Sequence, residues 1–132
     1  MLESIDTNVI LRLIIGNNIK QRHKAVELLC RPNIEYYVDP AAVTEVVFAL
    51  SRPPYNFTRT EVKQSIMGIF KHLNIIYEED ILEEVFDFSI THPKLSFVDC
   101  YLAAKAAAKH AEPLWTFDRK LASQSPTAKE II

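Results

Sequence analysis

The feature that most limits what this chain can fold into is its alternation of short apolar runs with longer amphipathic ones. Residues 1–5, 34–38, 74–77 and 113–116 are apolar runs too short for helices, and they read as strands, with 129–132 as a weak last strand. Helical periodicity fills the gaps, over 9–15, 19–31, 59–73 and 97–111, over a segment that opens at 78–80 and runs to 91, and briefly over 119–122. Strands separated by helices cannot pair as hairpins. They need crossover connections, so the pattern predicts an α/β domain with a mainly parallel sheet.

Punctuation supports these boundaries. Gly16, Asn17 and Asn18 break the first helical run, and Pro32 stops the second. Pro40 suits the first turn of a helix over 41–50 that is apolar on nearly every side apart from Thr44 and Glu45. Thr58 with Glu61 three residues later predicts a capping box, and Ser96 predicts the cap of the alanine-rich helix. Residues 52–57, with Pro53 and Pro54, read as a loop whose Tyr55 and Phe57 suit a partner surface.

The chain of 132 residues is expected to form one domain over 1–132, large enough to bury about two-thirds of its unfolded surface. No apolar stretch approaches the ~20 residues of a membrane span, and the start lacks the features of a secretory signal, so the expected location is the cytoplasm, with no membrane partner. Cys30 and Cys100 lie in apolar helical patterns without metal-ligand spacing and read as reduced core thiols. With only two glycines, Gly16 and Gly68, neither a phosphate-binding P-loop nor a dinucleotide fingerprint can be built.

Most of the 17 acids fall in polar patterns, but Asp6, Glu45, Asp99 and Asp118 do not. Asp6 and Asp118 follow strands, Asp99 opens a helix, and Glu45 sits in mid-helix beside Val43, Val46 and Val47. In a parallel α/β sheet, such positions converge at the carboxyl edge where ligands bind. Four carboxylates there would repel by roughly 4 kcal/mol per close pair at an effective dielectric near 20, so a cation is expected among them. Oxygen ligands without His or Cys select a hard ion, Mg²⁺ or Mn²⁺. Helix chemistry offers a plainer account of three of them: Asp6 and Asp118 can cap helices, and Asp99 can complement a helix dipole. Glu45 caps nothing. The net charge of −2 does not suggest nucleic-acid binding, but with the four acids set aside the remaining surface is net positive.

Four segments carry a family resemblance: Asp6-Thr7-Asn8-Val9-Ile10-Leu11, Thr44-Glu45-Val46, Phe97-Val98-Asp99-Cys100-Tyr101-Leu102-Ala103-Ala104 and Thr116-Phe117-Asp118. In this order and spacing they resemble the acidic motifs of PIN-domain ribonucleases, and most closely the VapC-type toxins of toxin–antitoxin systems. The resemblance implies a three-layer α/β/α fold with a central, mainly parallel sheet of four or five strands. It implies a metal-dependent endoribonuclease that hydrolyses RNA phosphodiester bonds with Mg²⁺ or Mn²⁺, a small antitoxin partner and a homodimer. Asp6, Glu45, Asp99 and Asp118 would be the metal-site acids, with Thr116 lining the site. The tail departs from the family pattern, since 119–132 is short and has no glycine turn.

Asn8, Arg12, Arg119 and Lys120 are candidates for substrate binding. Arg119 and Lys120 directly follow Asp118, and Arg12 is the only charge in its helical run. Trp115, Phe117 and Tyr101 read as core, and His23, His72, His92 and His110 lack ligand spacing. Rival readings are an RNA-processing PIN nuclease that is not a toxin, and a non-catalytic interaction module on the same fold. A dehalogenase-like phosphatase would want Asp where Asn8 stands, and a receiver domain would want an Asp directly after the third strand, where Glu78, Glu79 and Asp80 occur.

Overall fold

The computed structural model describes Met1–Ile132 and divides into two units, Met1–Glu78 and Glu79–Ile132. In the first unit three strands, β1 (Leu2–Ser4), β2 (Glu35–Tyr37) and β3 (Ile75–Ile76), form a parallel sheet in that order. Ser4 pairs with Tyr37, and Tyr37 with Ile76. Each crossover is a helix pair: α1 (Thr7–Ile15) with α2 (Ile19–Leu29), then α3 (Pro40–Ser51) with α4 (Arg59–His72). The core gathers Ile10, Leu29, Tyr36, Val38, Val46, Leu50, Val62, Ile66 and Phe70. Tyr36 is fully buried, and its hydroxyl is satisfied by donating to the Leu28 carbonyl and accepting from Arg31 Nε at 3.1 Å. Arg31 also pairs with Glu3, and these two partners hold its pKa above the ordinary value.

Residues 1–5 are less buried than their composition predicts. β1 lies at the edge of the three-stranded sheet, where Met1 and Leu2 are exposed and Ile5 alone of the run is buried.

The second unit holds α5 (Leu82–Thr91), α6 (Phe97–Ala108), β4 (Leu114–Thr116), α7 (Arg119–Gln124) and β5 (Ala128–Glu130). β4 and β5 are parallel, with Trp115 opposite Lys129, and α7 is their crossover. A last strand therefore forms despite the missing glycine turn, beginning one residue before and ending two residues before the expected 129–132. Helices α5 and α6 pack together through Phe86 and Phe97, whose ring centroids lie 5.2 Å apart.

Local chemistry explains most element ends. Pro40 occupies the first turn of α3, and Thr58 and Glu61 form the expected capping box on α4. α1 ends at Gly16, in the left-handed conformation (φ 66°) that glycine adopts without penalty. The alanine-rich helix stops at Ala108, short of the predicted 111. Its chain reverses with His110 at φ 55°, the Ala111 amide donating to the Ala106 carbonyl and the His110 amide to that of Ala107. This is a Schellman cap, which overrides alanine's helix propensity. α5 starts later than predicted, at Leu82, with Glu83 and Glu84 and not the acids 78–80 in its first turn. Cys30 is exposed just past the end of α2, contrary to the core reading, whereas Cys100 is buried. Trp115 and Phe117 are also not core residues: they are 55% and 79% exposed.

Candidate functional site

In the first unit Asp6 follows β1 and is the N-cap of α1, where its Oδ1 accepts from the Val9 amide at 3.3 Å. The capping role foreseen for it is real. One residue on, Thr7 Oγ1 donates to Glu45 Oε2 at 2.9 Å, and this bond ties the first turn of α1 to the middle of α3. The structure thus brings the Asp6 segment and Glu45 together through Thr7. Val43, Val46 and Val47 face the core, while Glu45 itself is exposed, so its apolar sequence neighbours do not imply burial of the carboxylate.

Asn8 and Arg12 line a groove of ≈ 400 Å³ between α1 and α2, with Gln21 and Lys24 opposite. Arg12 Nε donates to the Gln21 side-chain oxygen, which anchors the guanidinium across the groove.

In the second unit Asp99 occupies the first turn of α6. Its amide donates to the capping hydroxyl of Ser96 at 3.1 Å, and its carboxylate, half-buried, accepts no hydrogen bond. Asp118 is the N-cap of α7 and accepts from the amides of Lys120 (2.9 Å) and Leu121 (3.3 Å). Thr116 Oγ1 accepts from the Asp118 amide at 2.9 Å, so Thr116 orients Asp118. Arg119 pairs with Glu130 at 3.3 Å, and Lys120 is exposed without a salt bridge. No hydrogen bond joins Asp99 to Asp118, and within neither unit do three acidic, histidine or cysteine side chains converge as a metal-holding group.

The donor chemistry nevertheless suits a divalent ion. Each of the four carboxylates keeps at least one oxygen without a protein donor, and these are hard, water-accessible ligands of the kind Mg²⁺ prefers while it retains part of its hydration shell.

Residues 4–125 match the family model described as the PIN domain. The chain belongs to the PIN domain family. PIN domains are in general nucleases that bind RNA, and they typically use divalent metal ions. The fold is accordingly of the α/β class that the alternation of elements predicts and PIN-like as the resemblance implies, with parallel strands throughout. No curated protein matches the chain. No helix of this PIN domain is long and apolar enough to cross a membrane.

Two residues of interest escaped the sequence reading. Thr7 is one, since nothing local in the sequence marks its bond to a residue 38 positions away. Asp39 caps α3 through the Ala41 amide at 2.8 Å, and it stands two residues beyond β2 as Asp6 stands two beyond β1.

Proposed function

We propose that this PIN domain, acting as a single unit over residues 1–132, is a Mg²⁺- or Mn²⁺-dependent endoribonuclease. In this reading it is the VapC-type toxin of a toxin–antitoxin pair, a cytoplasmic homodimer restrained by a small antitoxin protein. The observation that carries the reading is that all four acids fall, in order, inside the segment matched to the family, each with a carboxylate oxygen left open.

Asp6, Glu45, Asp99 and Asp118 would hold the ion, which when bound lowers the pKa of an attacking water and offsets charge on the phosphate. The chain's own residues do the rest. Thr7 fixes the Glu45 carboxylate, the α1 amide of Val9 fixes Asp6, and Thr116 with the α7 amides fixes Asp118. Such fixed carboxylates need no reorganisation as charge develops. An open carboxylate oxygen accepts the proton of the water that attacks phosphorus, while the ribose oxygen on the opposite side departs. Lys120, and Arg12 across its groove, supply positive charge for flanking phosphates.

The test is cleavage of RNA by the purified chain in Mg²⁺ or Mn²⁺, beside EDTA and Asp6→Asn controls. Cleavage is expected only in the metal-containing wild-type reaction, and cleavage that survives both controls refutes the mechanism. Expression without a partner should arrest growth. Harmless expression of an active enzyme would instead mark an RNA-processing nuclease.

A further inference from the structure

The β4–β5 ribbon presents a face that the proposed mechanism does not use. Along β4 and just beyond it, Leu114 and Thr116 are half-buried while Trp115 and Phe117 are exposed. Along β5, Ala128 and Glu130 are half-buried while Lys129 and Ile131 are exposed. The ladder continues past the strand ends, since the Ile131 amide donates to the Thr116 carbonyl at 2.8 Å. Trp115 lies opposite Lys129, whose ammonium sits 5.6 Å from the indole centroid. The open face therefore consists of Trp115, Phe117, Lys129 and Ile131, with Lys120 and the Glu130-paired Arg119 on the helix that follows.

Large aromatic rings left in water are costly unless something covers them. Phe117 lies one residue past the end of β4, so at most about 7 Å of chain separates it from Trp115, near enough for neighbouring unstacked bases. Aromatic faces interleaved with cations are the chemistry that holds single-stranded nucleic acid, through base stacking and phosphate pairing. A second copy of the chain fits less well. Two rings bury about 150–250 Å² each, well short of the roughly 800 Å² per partner of a stable interface, and a second copy would set Lys129 against Lys129 in a symmetric contact.

We propose that Trp115 and Phe117 form a stacking platform for two bases of single-stranded RNA, with Lys129 and Lys120 on the adjoining phosphates. The inference rests on the nuclease reading and extends it: Phe117 directly precedes Asp118, so the platform would present the strand beside one of the proposed metal-site acids.

Trp115 is the only tryptophan in the chain, so its fluorescence reports this face alone. Ten-nucleotide oligouridylate and oligoadenylate are titrated in EDTA, where no cleavage is required, beside an abasic oligomer of equal charge. Saturable quenching by the base-bearing oligomers and not by the abasic one is expected, weakening as salt rises. Phe117→Leu, which keeps apolar bulk but removes the aromatic face, should weaken binding on the order of ten-fold, and Phe117→Tyr should restore it. Equal binding of the abasic oligomer without quenching overturns the platform, as does emission that shifts with protein concentration alone, which would mark a second copy on this face. Failure here with metal-dependent cleavage intact removes the platform and leaves the nuclease standing. Quenching without cleavage supports the platform and removes the nuclease.

Discussion

Asp6 is both the N-cap of α1 and a proposed metal ligand, and two substitutions separate these roles. Asn caps a helix about as well as Asp, whereas Ala does not. The cap bond is long, 3.3 Å, and exposed, which puts the loss for Asp6→Ala at the low end of the range, about 0.5–1 kcal/mol. For a chain of this size that is about 2–4 °C in melting temperature. Asp6→Asn should leave the melting temperature near wild type. It removes the negative charge that a divalent ion requires, and losing even an outer-shell partner costs about 10–100-fold in metal affinity or activity. Losing a ligand should cost at least about 100-fold. The assay pairs thermal unfolding in EDTA with RNA cleavage in Mg²⁺ for the wild type and both variants. If Asp6→Asn cleaves at the wild-type rate, Asp6 is a cap and nothing more. If it melts as low as Asp6→Ala, the capping equivalence on which the separation depends is wrong.

Thr7→Val removes the bond that orients Glu45. It should weaken metal binding, measured by calorimetry, on the order of ten-fold with a stability loss of about 1 kcal/mol or less, and Thr7→Ser should rescue it; unchanged metal binding would make the Thr7–Glu45 bond purely structural. Because water and not the ribose 2′-hydroxyl attacks phosphorus, an RNA with a single 2′-deoxy at the scissile nucleotide should still be cut, and loss of cutting there would contradict the proposed chemistry. Glu61 has its pKa held below the ordinary 4.5, chiefly by the Thr58 backbone amide and then by the Thr58 side chain. Its contribution is therefore present above that pH and lost as pH falls through the depressed folded value. Glu61→Gln keeps the reach-back bond but cannot titrate, so the melting-temperature gap between wild type and variant should close in acid, and a gap constant with pH refutes the assignment.

Where the sequence was legible, the signal was local. Pro40, the Thr58–Glu61 box, Ser96 and Gly16 each fix an element end through a side chain or backbone angle that acts within a few residues. What misled was burial, which depends on partners that periodicity does not name. The run 1–5 is apolar enough for a central strand, yet β1 is an edge. Trp115 and Phe117 have the hydropathy of core residues, yet they stand on the open face of a two-stranded ribbon. Of the candidate site, the acids and their order were readable. The Thr7 link was not, because it joins residues 38 apart in sequence.

Capping by itself does not identify a metal site, and Asp39 shows why. Asp6, Asp39 and Asp118 each stand two residues beyond a strand and each cap the helix that follows, so the same local device recurs at β1, β2 and β4. In that device the helix amides engage one carboxylate oxygen, as at Asp6 and Asp118, and the other stays open, so a cap and a ligand are compatible roles for one side chain. The discriminating residues are those that cap nothing. Glu45 and Asp99 contribute no helix-end bond, so Glu45→Gln and Asp99→Asn should abolish metal-dependent cleavage while leaving the melting temperature within about 2 °C of wild type. Asp39→Ala is the converse: it loses a 2.8 Å cap bond, about 1 kcal/mol, and should melt several degrees lower with its metal-dependent cleavage unchanged. Were Asp39→Ala to lose cleavage as Asp6→Ala does, with Asp6→Asn still active, the acids would be acting through helix integrity, and the assignment of Asp6 and Asp118 as ligands would fall with it.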